Sequence, residues 1–275
     1  LRKQGAVVIA DFDDLVIDEQ YVEYSPGVLN KLVSLGATVR RFRAHRRALS
    51  WFDGITVSTE PLAEHVRRLC LDIPVVVLPN SVHRNWVPMR VPVGERLEQK
   101  VLTYFPGTRS HDRDFASISG VLSQFLLKHP EVHLKIVGPL EFSLESHAGQ
   151  ITHQEKVPFS EYQALLKGSW LNLAPLEDTP FNKCKSALKV LEAGFFSVPT
   201  LCSSNADMQR YSEAGALIAE NDEEWLSGLE MMLDDEAYLE KTRTIRDMTL
   251  ELANIDAQAD GLLRLLEKIR HVNHA

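Results

Sequence analysis

A succession of short apolar runs, each followed by a stretch long enough for a helix, constrains this chain more than any other feature. Ala6 to Ala10 and Pro74 to Leu78 are continuous apolar runs, and Gly54 to Ser58, Val101 to Phe105, Val132 to Val137 and Trp170 to Ala174 read as further strands. Such runs are too short for helices and mark strands covered on both faces, the pattern of a parallel sheet with helices on either side. A short strand within Ile151 to Pro158 and another at Thr200 to Ser203 extend the series. Between them, helices are expected from Pro26 to a stop at Gly36, and over Thr59 to Cys70 with Pro61 in the first turn. Two more are expected at Asp112 to Lys128 and Ser160 to Lys167. The fold class read from this order is α/β, with two Rossmann-like units.

The first unit, residues 1–84, has few strands and reads as the later part of a doubly wound sheet, as in a fragment of a longer protein. Residues 85–99 carry Pro88, Pro92 and Gly94 among mixed charges without periodicity, and are expected to link the units. A complete domain follows at 100–250. Residues 251–275 are expected to form a C-terminal helix, with Leu262, Leu265, Leu266 and Ile269 on its apolar side, that returns to the first unit.

The densest chemistry lies between Phe181 and Ser204. A helix is expected from an Asn182 cap to Gly194, where a left-handed terminal residue is wanted. Lys185, Lys189 and Glu192, spaced by four and three, share one face. Two lysines one turn apart repel by roughly 0.2–0.5 kcal/mol, and lysine near a helix start opposes the macrodipole. An anion bound at the helix start accounts for both; a solvated charged face with a Lys189–Glu192 pair is the plainer account.

Composition narrows the partners. Over 275 residues the formal charge is -8, which argues against broad nucleic-acid binding. The three cysteines, Cys70, Cys184 and Cys202, form neither a metal motif nor a disulfide framework and suit a reducing compartment. No stretch approaches the roughly 18 apolar residues of a membrane span, and no leader is visible, so a cytoplasmic location is expected. The arginine-dense segment Arg40 to Arg47 admits a peripheral contact with the inner membrane face, or a solvated face.

With these residues in view, the second unit resembles the C-terminal nucleotide-sugar domain of GT-B glycosyltransferases of the retaining family 4 group. The likeness rests on FPGTRSHDRDF (Phe105 to Phe115), HLKIVGP (His133 to Pro139), LNLAPLEDTPFNKCKSALKVLEAG (Leu171 to Gly194) and SVPTLCSS (Ser197 to Ser204), in that order. The first unit resembles the late N-terminal domain of the same group through VVIADFDDLVID (Val7 to Asp18), ITVST (Ile55 to Thr59) and VVVLPNSV (Val75 to Val82).

The resemblance implies transfer of a sugar from a UDP- or GDP-sugar to a glycan or lipid-linked acceptor, with retention and without a metal or other cofactor. The closing Glu of the family's Glu-x-seven-Glu signature falls at Glu192, which then holds the ribose. Lys185 and Arg113 (or Arg109) become the cations that stabilise the leaving diphosphate. Gly107, Thr108, Ser186, Ala187 and Leu188 surround the nucleotide, and Pro158, between Val157 and Phe159, belongs to the base-reading loop. Asp13, Asp14, His111, Asn182 and Cys184 fall on the donor-sugar or acceptor side, although capping of the Asp112 helix is the favoured role for His111. The signature's first Glu falls at Cys184, a departure that makes a non-catalytic binding module one alternative. Asp11 and Asp13 after an apolar strand also resemble the nucleophile loop of haloacid-dehalogenase-type phosphatases, which use magnesium.

Overall fold

The computed structural model describes residues 5–70, 72–83, 85–86 and 93–273. All strand pairs are parallel, in two sheets. The first sheet has the order β1-β2-β3, with β1 at Ile9–Phe12, β2 at Gly54–Val57 and β3 at Val75–Val77. The second contains β4 (Val101–Tyr104), β5 (His133–Val137), β6 (Ile151–Gln154), β7 (Leu171–Ala174), β8 (Thr200–Ser203) and β9 (Ala216–Ala219). Its order is β6-β5-β4-β7-β8-β9. The chain thus builds outward from β4 on one side and from β7 on the other. Where neighbouring strands lead away in opposite directions, their C-terminal loops part and leave a crevice.

Burial explains the continuous apolar runs. Leu102, Leu134 and Leu171 are paired across β4, β5 and β7, and all three are fully buried beneath flanking helices. The largest core joins these strands to Phe115, Leu122, Phe125, Trp170, Trp225 and Tyr238. A second core under the first sheet contains Leu15, Ile17, Phe42, Ile55, Val57 and Leu62, and takes in Phe181 and Cys184 from the second unit. The C-terminal helix Ile255–Asn273 lies on β2: a Cβ on Gly54 would stand 2.7 Å from Ile269 Cδ1.

Several local expectations are corrected. β1 begins at Ile9 rather than Ala6, and β9, a four-residue run entered from Gly215 at φ +90°, had no clear sequence signal. Gly36 does not stop a helix. The chain turns at Lys31 (φ 57°), and Gly36 falls in the first turn of a new helix, Leu35–Ala48, whose Ser34 cap accepts from the Ala37 amide at 3.3 Å. The arginine-dense segment is therefore helical. The helix expected over Asp112 to Lys128 breaks into Asp112–Ala116 and Ser119–Lys128. In the stretch read as aperiodic, Val93–Gln99 is a helix, while Pro88 and Pro92 lie outside the described residues. Arg96, 2% exposed, anchors that helix by donating to the carbonyls of Lys167, Phe196 and Ser197 at 2.8–2.9 Å.

The segment from Asn182 to Gly194 is corrected most. It is two helices, Pro180–Lys183 and Leu188–Phe195, separated by a turn through Cys184 to Ala187. Thr179, not Asn182, caps the first, its hydroxyl accepting from the Asn182 amide at 3.1 Å. Gly194 is helical, and the left-handed residue is Ser197 (φ 56°). Gly194 is instead a close-packing position, because a Cβ there would overlap the hydroxyl of Thr249 on the helix Ile245–Leu252.

Candidate functional site

A cavity of about 510 Å³ opens where the C-terminal ends of the two sheets face one another. Loops after β4 (Gly107, Thr108, His111) and β7 (Pro175, Leu176) form its walls at the point where strand order reverses. Asp13 and Asp14, following β1, enter from the first unit. The helix Leu188–Phe195 presents Leu188, Lys189 and Glu192 on one side, with Lys185 and Ser186 just before it. Phe105, Val137, Val157, Phe159 and Tyr162 make the other end apolar and aromatic. The cavity is therefore amphipathic by construction: flat carbon surfaces at one end, cations and hydroxyls at the other.

The charged groups are held unequally. Lys185 Nζ donates to Asp14 Oδ1 at 2.8 Å across the gap between the units, and lies 5.3 Å from the Phe181 ring centroid. Ser186 Oγ accepts from Asn80 Nδ2 at 2.9 Å, and the same amide donates to Asp13 Oδ1 at 3.2 Å. Lys189 is half-buried; its carbonyl accepts from Asn172 Nδ2 at 3.3 Å, but its Nζ has no hydrogen bond and no carboxylate within 4.0 Å among the described residues. Its pKa lies below the ordinary lysine value because burial penalises the ammonium and Lys185 repels it; Glu192 opposes the shift. Lys156 Nζ reaches the Gly107 carbonyl at 3.4 Å.

Glu192 Oε2 accepts from Tyr162 OH at 2.9 Å. Burial raises the Glu192 carboxyl above its ordinary value, against the pull of Tyr162 and Lys189. Burial also raises the Tyr162 phenol well above 10, so the phenol keeps its proton and remains a donor. Glu192 Oε1 is left for another donor. His111 Nδ1 lies 2.8 Å from Asp114 Oδ2, and burial lowers the imidazole pKa despite that carboxylate. A neutral ring that donates from Nδ1 to Asp114 has an acceptor at Nε2. His111 makes no side-chain cap bond to the Asp112 helix, so its structural role runs through Asp114 instead.

The backbone supplies donors as well. The amides of Ser186, Leu188 and Lys189 have no acceptor among the described residues; Leu188 and Lys189 open the eight-residue helix, and Ser186 lies two residues before it. The Ala187 amide is already taken: it donates to Asp207 Oδ2 at 2.7 Å.

Of the residues singled out from the sequence, Gly107, Thr108, His111, Lys185, Ser186, Leu188, Glu192, Asp13 and Asp14 meet in this cavity. Others do not line it. Arg113 binds Glu177 in a two-pronged pair, and Arg109 is held by Asp112 and Glu141; both side chains are about half exposed. Asn182 is buried and donates from Nδ2 to Asp114 Oδ1 (2.8 Å) and to the Glu177 carbonyl (3.0 Å), bracing the loop after β7. Cys184 is packed into the core of the first unit, its thiol pushed up to about 12 by burial, and its carbonyl accepts from Thr59 Oγ1 at 2.8 Å. Pro158 precedes the helix Phe159–Lys167, while its neighbours Val157 and Phe159 face the cavity. Ala187 is fully buried. Asp11 accepts from Thr56 Oγ1 at 2.6 Å and lies outside the cavity lining.

Sequence reasoning left Lys156, Tyr162, Asn80, Asp114 and Asp207 without roles. Lys189 is marked in the sequence by its spacing from Lys185 and Glu192. The others reach the site through contacts between distant parts of the chain, which no local pattern encodes.

No protein-family model and no curated protein sequence matches the chain. Solved structures do. A sucrose-phosphate synthase from Thermosynechococcus elongatus superposes with a TM-score of 0.66 at 16% identity, covering 96% of this chain and 68% of its own. Anabaena HepE, in complex with UDP and glucose, gives 0.64 at 9% identity, covering 97% and 73%. TarM gives 0.62 at 13% identity over 82% of this chain, which spans 46% of TarM's length. The fold is the GT-B arrangement of two Rossmann-like units seen in glycosyltransferases.

Proposed function

We propose that the chain carries the donor site of a glycosyltransferase that takes a sugar from a nucleoside-diphosphate sugar to a saccharide or lipid-linked acceptor. The observation that carries this reading is Lys189. It is an ammonium held half-buried beside a second lysine, next to unpaired helix-start amides, with no carboxylate of its own. A diphosphate supplies what is missing there: negative charge for Lys185 and Lys189, and acceptors for the Ser186, Leu188 and Lys189 amides.

The remaining surfaces suit the rest of such a donor. A nucleobase fits the apolar end beside Val157 and Phe159, since stacking on an aromatic face needs no particular base. Glu192 Oε1 is positioned to accept from a ribose hydroxyl while Tyr162 holds Oε2. As the glycosidic bond breaks, its electron pair goes to the diphosphate oxygen, and Lys185, Lys189 and the amides stabilise that charge without moving. The acceptor hydroxyl adds to the sugar carbon and passes its proton to the departing diphosphate oxygen. Asp13, Asp14 and His111 line the side from which that hydroxyl arrives. Retention of configuration and independence from metal belong to this proposal through the family resemblance.

Calorimetric titration with UDP, GDP and inorganic diphosphate tests the site, followed by assay of UDP- and GDP-sugars for nucleoside diphosphate release with saccharide acceptors. UDP is the first choice, since the HepE structure holds it. Uptake of a nucleoside diphosphate that weakens in Lys185→Ala and Lys189→Met supports the reading; no uptake of either nucleotide overturns it. Cys184 favours a second reading, a nucleotide-binding module without turnover, because no carboxylate stands at that position and the thiol faces away from the cavity. Binding without hydrolysis or transfer distinguishes that module from the enzyme. Magnesium-dependent release of phosphate from a simple phosphate ester would instead favour the phosphatase alternative, which Asp11's position outside the cavity disfavours.

A further inference from the structure

The helix Leu35–Ala48 stands apart from the rest of this acidic chain. It carries Arg40, Arg41, Arg43, Arg46 and Arg47 and no aspartate or glutamate, while the whole protein has a formal charge of -8. All five arginines are exposed, and Phe42 and Thr38 on the opposite side are buried. Arg40, Arg43 and Arg47, at i, i+3 and i+7, share one outward face. Among the described residues only Arg43 has a carboxylate within 4.0 Å, that of Glu19 at 2.9 Å. Four exposed guanidinium groups thus have no carboxylate within 4.0 Å among the described residues.

Apolar side chains flank this strip at both ends. Leu32, Val33 and Leu35 are 41–49% exposed at its start, and Trp51, just past its end, is 70% exposed. Trp86, Trp170 and Trp225 are at most 5% exposed. An exposed tryptophan next to a basic helix matches the headgroup level of a membrane, where the indole ring sits between water and hydrocarbon. Cations draw such a surface to an anionic leaflet, and the apolar ends hold it there.

We propose that the Leu35–Ala48 helix, with Leu32, Val33, Leu35 and Trp51, is a docking surface for an anionic lipid bilayer. A soluble polyanion would match the arginines but leave Trp51 and the leucines without a partner. The surface lies outside the cavity and uses none of its residues, so its failure leaves the donor-site reading standing.

The test uses vesicles of phosphatidylcholine with 30% phosphatidylglycerol, against pure phosphatidylcholine, at two salt concentrations. Flotation measures binding, and tryptophan fluorescence with brominated lipid measures depth. Binding to the anionic vesicles, weakening with salt, with a blue shift and bromine quenching that vanish in Trp51→Ala, is the expected result. The triple substitution Arg40→Gln, Arg41→Gln, Arg47→Gln should lower the vesicle partition coefficient by about 100-fold, taking about fivefold per arginine, while UDP affinity stays at the wild-type value. Equal partition into neutral and anionic vesicles overturns the proposal. So does anionic binding that the triple substitution leaves unchanged, or binding to heparin or DNA with none to vesicles. Vesicle binding without a Trp51 shift also overturns it, because the apolar ends are then not engaged.

Discussion

Replacing Lys189 with methionine should push stability and affinity in opposite directions. In the free protein the ammonium is half-buried, repelled by Lys185 and unpaired, so folding works against its charge. Methionine keeps the apolar stem and removes that penalty. Relief of the Lys185–Lys189 repulsion, between partly solvated charges, is worth about 0.5 kcal/mol or less and is partly offset by losing the Glu192 attraction. Burial is the larger cause of the lysine's shift and adds to the gain. A rise of roughly 1–3 °C in Tm is expected by calorimetry, since about 1 kcal/mol moves Tm by about 2–4 °C in a chain of this size.

The ligand sees the reverse. Loss of one charge-assisted contact to a diphosphate costs about 1.5–3 kcal/mol, or about 10- to 150-fold in the UDP Kd. The pH dependence follows the same sign. A lysine whose folded pKa is depressed binds fewer protons than the unfolded chain between the folded value and 10.5, so wild-type stability gains as pH rises through that window. Lys189→Met should lose that gain. An unchanged Kd together with a lower Tm would refute the reasoning, because it would make Lys189 a structural side chain.

Other perturbations separate the parts of the site. Asp14→Asn frees Lys185 from its 2.8 Å pair and should tighten UDP binding by up to about fivefold, whereas Lys185→Ala should weaken it by about tenfold or more; titration showing the same sign for both would break the competition argument. Glu192→Gln should weaken UDP but leave inorganic diphosphate affinity unchanged, and equal losses for the two ligands would rule out a ribose contact. UDP affinity should also fall on acidification through the raised Glu192 pKa, and a pH titration of Glu192→Gln should lack that limb. Gly194→Ala should cost about 1–3 kcal/mol through overlap with Thr249, with most of it restored by adding Thr249→Ala; a denaturant series without that rescue would place the strain elsewhere.

The residues that line the cavity were legible to different degrees. Glu192 stands out because a helical period places it three residues from Lys189 on one face, and Lys185 because cations gather in that segment, although the turn through Cys184 to Ala187 takes it out of the Leu188–Phe195 helix. Gly107 and Thr108 could be found because a parallel strand ends in a loop on the ligand side of its sheet. Arg113 and Arg109 do not line the cavity: Asp112, three residues on, and Glu141 hold Arg109, and Glu177 from the loop after β7 holds Arg113.

The α/β class, the two parallel units and the gathering of lysines in the segment after β7 are legible in the sequence alone. Those follow from apolar run length, helix-sized spacings and residue identity, all local quantities. Tertiary structure decided which amides stay free and which cations go unpaired. Asp207 takes the Ala187 amide, Asp14 takes Lys185, and the first unit's core takes Cys184, leaving Lys189 in the cavity without a paired carboxylate among the described residues. Each of these choices joins residues far apart in the chain, and competition among partners in a crowded interior is settled only when all of them are present.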